Sequence, residues 1–327
     1  MYLSSSRLRL QFSETGELTE LYDEALQRNY LDAAPRLPLF RITFSEFLNG
    51  KIQPGEFHLS SALAEEVTIE RNDSEPDTLS ITFKHIDGQD LNAFCSVRLP
   101  EDSALSYWQI RIENHTDYAI KAVEYPMIAT HLTPSGKAGA EIENTRILLP
   151  KQDGYLLPCP LFMPWEGDNA SRTRNQRFLY PGEGREDPNG SSVQLQAFYD
   201  ELGGLYMATH DSSGNVKEFG PVWVHEEDAT RLTEEEFSQY ADNASDRTAG
   251  TESASSAENA ADPSGYADGI SSGDPWLTDS GYLDFSIVHH TPEAPGNVFA
   301  PDYDTVIGCF EGDWQDAALI YKAWSKT

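Results

Sequence analysis

Hydrophobic and polar residues alternate with a period of two through most of this chain. Leu79, Ile81 and Phe83 alternate with Ser80, Thr82 and Lys84, and Trp108, Ile110 and Ile112 alternate with Gln109, Arg111 and Glu113. Successive side chains of a strand point to opposite sides, so this pattern predicts strands with one buried face. The same reading predicts strands over Arg7–Phe12, Arg36–Phe44, Val67–Arg71, Thr78–Ile86, Leu91–Leu99, Leu105–Glu113 and Tyr118–Tyr125. Val193–Asp211 is the most regular stretch, with alternating runs on both sides of Gly203-Gly204. It predicts a β-hairpin that turns at those glycines, followed by a second turn at Gly214-Asn215 and a strand from Val216. Further strands are expected over Pro221–His225 and Leu283–His290. Many short strands with few helical patterns between them argue for an all-β fold, a large antiparallel β-sandwich.

Three segments depart from the alternation. Pro150–Pro181 is punctuated by Pro150, Pro158, Pro160, Pro164 and Pro181 with aromatic residues between them, which predicts a long loop or edge segments held by aromatic packing. Thr233–Pro275 is rich in Ala, Ser, Gly, Asp and Glu and has little apolar area to offset its ordering entropy, so residues 233–275 read as an acidic, flexible insertion. From Asp313 to Lys326 the period changes: Trp314, Ala317, Ala318, Tyr321 and Trp324 recur at three or four. Residues 313–326 are therefore expected to form a helix, with Asp313 as its cap and Asp316 in its first turn. Both Trp residues are expected to pack against another part of the protein. With all-β folds often exceeding 200 residues as one unit, residues 1–327 are expected to form a single sandwich domain.

Composition narrows the partners. The chain has 54 Asp plus Glu against 23 Lys plus Arg, a formal net charge of −31, and such a field repels phosphate backbones and anionic membranes. Nucleic acid and membrane are therefore not expected as partners. Cys95, Cys159 and Cys309 are widely spaced and contain no CxxC, which favours buried free thiols in a reducing compartment. No apolar leader is visible in MYLSSSRLRLQFSETGE and no segment has the length of a membrane span, so a cytoplasmic location is expected.

Several segments together carry a resemblance: Tyr180-Pro181-Gly182, Tyr199-Asp200-Glu201, Gly203-Gly204-Leu205-Tyr206, His210-Asp211 and Lys217. Glu113-Asn114-His115-Thr116, Val123-Glu124-Tyr125-Pro126, and the run from Phe310-Glu311-Gly312-Asp313-Trp314 to Ala323-Trp324 agree with it. Across roughly residues 100 to 327 the chain resembles the N-terminal β-sandwich module of a poorly characterised glycoside hydrolase family. The resemblance implies a galactose-mutarotase-like supersandwich, and a (β/α)-barrel carrying the catalytic carboxylates beyond the C-terminal helix. The sequence is expected to stop before that barrel, so no catalytic residue is assigned.

The candidate chemistry follows from this frame. A glycosidase needs two carboxylates at a defined separation across the scissile bond, and sequence neighbours such as Asp200-Glu201 are not evidence for that geometry. A sugar 1-epimerase, a reaction that the similar mutarotase fold hosts, would need a carboxylate base and a His acid. His131, His210, His289 and His290 are available, with Glu218 as a possible base, but Thr130-His131-Leu132-Thr133-Pro134 departs from the mutarotase-type His-x-x-Phe-Asn signature. No HExxH, close Cys/His set, phosphate loop or G-x-S-x-G is present, so no metal, cofactor or serine nucleophile is expected. Carbohydrate binding fits the residues better, because pyranose C–H faces pack on aromatic rings while short polar groups bond the hydroxyls. The expected sugar-contacting residues are Trp165, Asp168, Asn169, Arg174, Tyr180, His210, Asp211 and Trp223. The resulting expectation is an accessory module that binds carbohydrate or buttresses a barrel. A self-contained epimerase and a purely structural interaction domain are the alternatives.

Overall fold

The computed structural model describes residues 1–31, 36–48, 51–72, 74–136, 143–150, 155–157, 174–182, 190–224 and 281–326. The antiparallel β architecture read from the alternation is observed. A nine-stranded sheet runs, edge to edge, through Tyr155–Leu157, Arg146–Leu149, Leu195–Tyr199, Gly203–His210, Asp304–Glu311, Leu105–Asn114, Leu91–Arg98, Glu75–Ile86 and Ala64–Asn72. Facing it is a six-stranded sheet of Phe178–Tyr180, Lys217–Phe219, Val288–His290, Ala119–Glu124, Arg41–Leu48 and Lys51–Ser60. Cross-sheet aromatic contacts fix the two layers, with Phe40 edge-on to Phe83 at 5.1 Å and Trp108 to Tyr125 at 6.3 Å. A four-stranded N-terminal sheet from Tyr2 to Asn29 adds Leu8, Leu10, Phe12 and Leu21 to the same hydrophobic cluster. A second small sheet pairs Ala129–Thr130, Tyr282–Asp284, Val222–Val224 and Arg174–Asn175.

The predicted strands hold with local adjustments. The segment read as Arg36–Phe44 begins its strand only at Arg41, and Leu39 and Phe40 fill the core from irregular backbone. The segment read as Leu283–His290 is two strands belonging to different sheets. The break lies at Phe285–Ile287, where Asp284 accepts from the Ser286 backbone N–H at 2.9 Å. Cys95 and Cys309 are buried free thiols, as expected, while Cys159 lies outside the described residues.

The hairpin forms, but its turn is not at the glycines. Tyr199 pairs with Gly204, and Asp200–Leu202 make the reversal, with Asp200 Oδ1 accepting from Leu202 N at 2.9 Å. Gly203 and Gly204 are strand residues, and what they supply is close approach. A Cβ on Gly203 would lie 2.1 Å from the Phe310 carbonyl oxygen, and one on Gly204 2.1 Å from that of Phe198. Backbone atoms cannot rotate aside, so Gly203→Ala is expected to lower the unfolding free energy by about 2 kcal/mol or more in urea titrations. A change within 0.5 kcal/mol would contradict that geometry.

Strand alternation in this region does not separate core from solvent, because both faces are covered. Phe198, Leu205 and Met207 enter the inter-sheet core, while Leu195, Ala197, Tyr206 and Ala208 lie under the C-terminal helix, Trp314–Trp324. The helix starts with the expected cap: Gln315 N donates to Asp313 Oδ1 at 2.8 Å, and Asp316 Oδ2 accepts from Asp313 N at 3.0 Å. Ala317, Ile320 and Tyr321 face the sheet, and Trp324 stacks on His210 at 4.6 Å. Trp314 does not join them: its backbone bonds Tyr199 of the sheet, but its ring is 41% exposed.

Candidate functional site

The outer face of the six-stranded sheet carries charge where a solvent face would ordinarily carry scattered polar groups. Ile42 and Phe44 point into the core, so parity puts Arg41 and Thr43 on the other side. The same alternation places Glu124 opposite Val123, Glu218 opposite Lys217 and Phe219, and His290 opposite His289. Register then brings these residues together: Glu124 pairs with Arg41 and Val288, and Ala122 with His290 and Thr43. Glu56 and His58 on the edge strand, together with Lys121 and Arg177, complete the wall of a solvent-open cavity of about 280 Å³.

Glu124 is the centre of this face. Arg41 donates to its Oε2 from Nε at 2.9 Å and from Nη2 at 2.5 Å, while Arg177 Nη2 donates to Oε1. Burial alone would raise its pKa, but the guanidiniums of Arg177 and Arg41 outweigh it and hold the carboxyl down at about 2. Arg177 Nη2 also reaches Asp284 Oδ2 at 3.2 Å. Burial, and next the charge of Glu124, push the Asp284 carboxyl above its ordinary range.

Glu218 and His290 form a second pair on the same cavity, with His290 Nε2 2.7 Å from Glu218 Oε1. The His290 hydrogen bond is the main reason that the Glu218 carboxyl sits below its ordinary value. Both residues keep more than a quarter of their side chain exposed, so they are within reach of a ligand. Lys121 bonds Glu56, and Thr43 Oγ1 lies 3.1 Å from His58 Nδ1. Acids and bases are thus interleaved across five strands, which leaves the cavity close to neutral in a strongly acidic chain.

Of the residues expected from sequence to contact sugar, Tyr180 and Asp211 come together around Lys217, and the other described ones lie apart from them. Trp165, Asp168 and Asn169 lie outside the described residues, and Arg174 is described only as a backbone pair of Trp223. Trp223 is a core residue, 3% exposed. Asp211 is buried and bonds Lys217 Nζ, as well as the backbone N–H groups of Ser213, Gly214 and Asn215. Tyr180 is half-buried, with the Lys217 ammonium 5.6 Å from its ring centre. His210 lies on the other sheet, against Trp324, and burial pushes its pKa down to about 4.

Of the acid and base candidates, Glu218 and His290 meet. His289 instead faces inward, bonded to Tyr303 at 2.8 Å and the Tyr125 carbonyl at 2.9 Å, and its pKa is driven by burial to about 3. Arg41, Glu124 and Arg177 are not among the site residues expected from the sequence. The first two carry a readable signal, a charge flanked by core residues in an alternating run. Arg177 does not, because its partners are 53 and 107 positions away. Among the described residues no group of three or more His, Cys, Asp or Glu is placed to hold a metal ion, and no helix is long and apolar enough to cross a membrane.

No protein-family model matches the sequence, and no curated protein matches it. Solved structures do match. The ligand-free α-N-acetylgalactosaminidase NagBb from Bifidobacterium bifidum aligns over 100% of this chain and 38% of its own, at 12% identity and a TM-score of 0.51. The chain shares its fold with part of a longer glycosidase. The quadruple mutant of NagBb gives the same result, at 13% identity and a TM-score of 0.52 over 39% of that chain. An α-mannosidase from Enterococcus faecalis V583 aligns over 99% of this chain and 31% of its own, at 9% identity and a TM-score of 0.45. This chain therefore spans less than two fifths of the length of these enzymes.

Proposed function

We propose that this chain is a carbohydrate-recognising β-sandwich module that works beside a glycoside hydrolase catalytic domain and holds a sugar in the cavity on the outer face of its six-stranded sheet. The observation that carries this reading is the paired lining of that cavity. A carboxylate fixed between two guanidiniums, next to a partly exposed Glu–His pair, offers donors and acceptors in alternation. Vicinal hydroxyls are both donors and acceptors and complement such a surface without breaking its ion pairs. The cavity volume suits one or two sugar rings, and the near-neutral lining suits an uncharged ligand. The glycosidase relatives support carbohydrate as the ligand class through shared fold alone.

Glu218→Gln and His290→Gln test this reading, because both residues are partly exposed and neither holds the core. Calorimetric titration with galactose, N-acetylgalactosamine, mannose and glucose is expected to give binding to the unmodified chain by at least one sugar. Each variant is expected to weaken it about tenfold, the effect of one lost charge-assisted hydrogen bond. Unchanged affinity in both variants would reject the cavity as the site.

A second reading, sugar 1-epimerisation, is favoured by one observation: Glu218 and His290 face the same cavity. Against it stands their mutual hydrogen bond, since an acid and a base that act on opposite sides of a ring cannot touch each other across it. Polarimetry on freshly dissolved α-D-galactose and α-D-glucose separates the two. A binding module leaves the rate of mutarotation unchanged, whereas an epimerase raises it and loses that effect in Glu218→Gln.

A further inference from the structure

The helix covers only part of the outer face of the nine-stranded sheet. Its cluster ends on the strand Leu105–Asn114, where Leu105 and the half-buried Tyr107 pack against it and the Tyr107 ring lies 6.2 Å from that of His210, and the helix cluster does not extend to the outer face of Leu91–Arg98, Glu75–Ile86 and Ala64–Asn72. Register places two aromatic–arginine pairs on it, Tyr107 opposite Arg98 and Phe94 opposite Arg111. Each guanidinium lies over its ring, at 4.4 Å from the Tyr107 centre and 5.9 Å from that of Phe94. Between the pairs, Gln109 stands opposite Ser96 and Ser96 opposite Ser80. Tyr107 and Arg111 are four residues apart on one strand, so the two pairs are separated by about 13 Å along it, with the polar row between them.

We infer that this open face is a second carbohydrate surface, one that takes an extended, uncharged glycan chain across the Tyr107–Arg98 and Phe94–Arg111 pairs. The chemistry of the face selects this occupant. Its outward positions from Asn92 to Arg98 and from Tyr107 to Glu113 carry no aliphatic side chain, so it lacks the apolar centre on which a protein partner would dock. The cations are compensated, with Arg111 bonded to Glu113 at 2.6 Å and Lys84 to Glu66 at 3.0 Å, while burial pushes the Asp304 carboxyl above its ordinary range against the opposing effects of its Gln109 hydrogen bond and the nearby Arg98. What remains on offer is planar groups for C–H faces and short amide and hydroxyl groups for sugar hydroxyls, spaced for several rings and not for one. This inference rests on the reading of the chain as a carbohydrate-recognising module, but it uses a different sheet and different residues.

The test is titration of the full chain with neutral hexasaccharides (malto-, cello-, manno- and galacto-series) and with the corresponding monosaccharides, in the unmodified protein, a Tyr107→Ala/Phe94→Ala variant and Glu218→Gln. The expected result is a hexasaccharide whose affinity falls at least tenfold in the double variant, while the affinity of the monosaccharide does not change. Amide resonances of Ser96 and Gln109 in the unmodified protein are expected to shift with the hexasaccharide and not with the monosaccharide, a readout that does not depend on the variant folding. Full retention of hexasaccharide affinity by the double variant, unmoved Ser96 and Gln109 resonances, or the lack of any bound hexasaccharide overturns the second surface. Monosaccharide binding that is lost in Glu218→Gln would in each case leave the cavity reading intact.

Discussion

Replacing Asp211 by Ala is expected to destabilise this protein by about 3–5 kcal/mol, more than replacing its partner Lys217 by Met. Neither side chain reaches solvent, and the ammonium lies among the Asp211 carboxylate, the Asn215 carbonyl at 2.8 Å and the ring of Tyr303 at 4.3 Å. Burial pushes the Lys217 pKa down and Asp211 opposes it, while the Asp211 carboxyl is held below its usual range by Lys217 and by backbone N–H groups. The two deletions are therefore unequal. Without Lys217 the carboxylate keeps three N–H donors from its own turn. Without Asp211 a buried ammonium loses the one carboxylate bonded to it among the described residues and keeps only the more distant Asp302. Lys217→Met should accordingly cost about 1–2 kcal/mol. Urea denaturation at pH 7 measures both, and equal costs, or a cost below 1 kcal/mol for Asp211→Ala, would contradict the asymmetry.

The second large effect belongs to Glu124. Glu124→Gln leaves Arg41 and Arg177 facing a neutral amide, with an expected loss of about 3 kcal/mol or more. The same carboxylate makes stability depend on pH. Its folded pKa lies at about 2 against an ordinary value of 4.5, so its contribution is fully present above pH 4.5 and is lost as the pH falls towards 2. Glu124→Gln should flatten the part of the acid limb that lies below pH 4.5. An acid limb that keeps its full slope in the variant would show that other carboxylates carry it.

The sandwich was legible because its signal is local. Alternation in Leu79–Phe83 and Trp108–Ile112 reports one buried face, and these residues lie where the pattern puts them. The helix was legible for the same reason, through its cap at Asp313 and its spacing of three and four. Misplacing the hairpin turn at Gly203-Gly204 has a physical cause: glycine in a turn and glycine under a neighbouring backbone look the same in a sequence. The difference lies in Phe310, more than 100 positions away.

The candidate site was only half legible. Glu218 and His290 could be named as a possible base and acid from residue type, but only the pairing of the Lys217–Phe219 strand with Val288–His290 brings them within 2.7 Å. Asp211 and Trp223 looked like sugar contacts because the residue types used for recognition are also those that brace turns and fill cores. Burial decides between those roles, and burial depends on the other sheet.

Amide chemical-shift mapping with the monosaccharide panel asks whether the outer face of the six-stranded sheet holds a sugar. Shifts are expected to concentrate at Arg41, Ala122, Glu124, Glu218 and His290, to saturate with one affinity and to be absent from the N-terminal sheet. Saturating shifts that spare all five positions, or no shifts with any sugar of the panel, would contradict that reading.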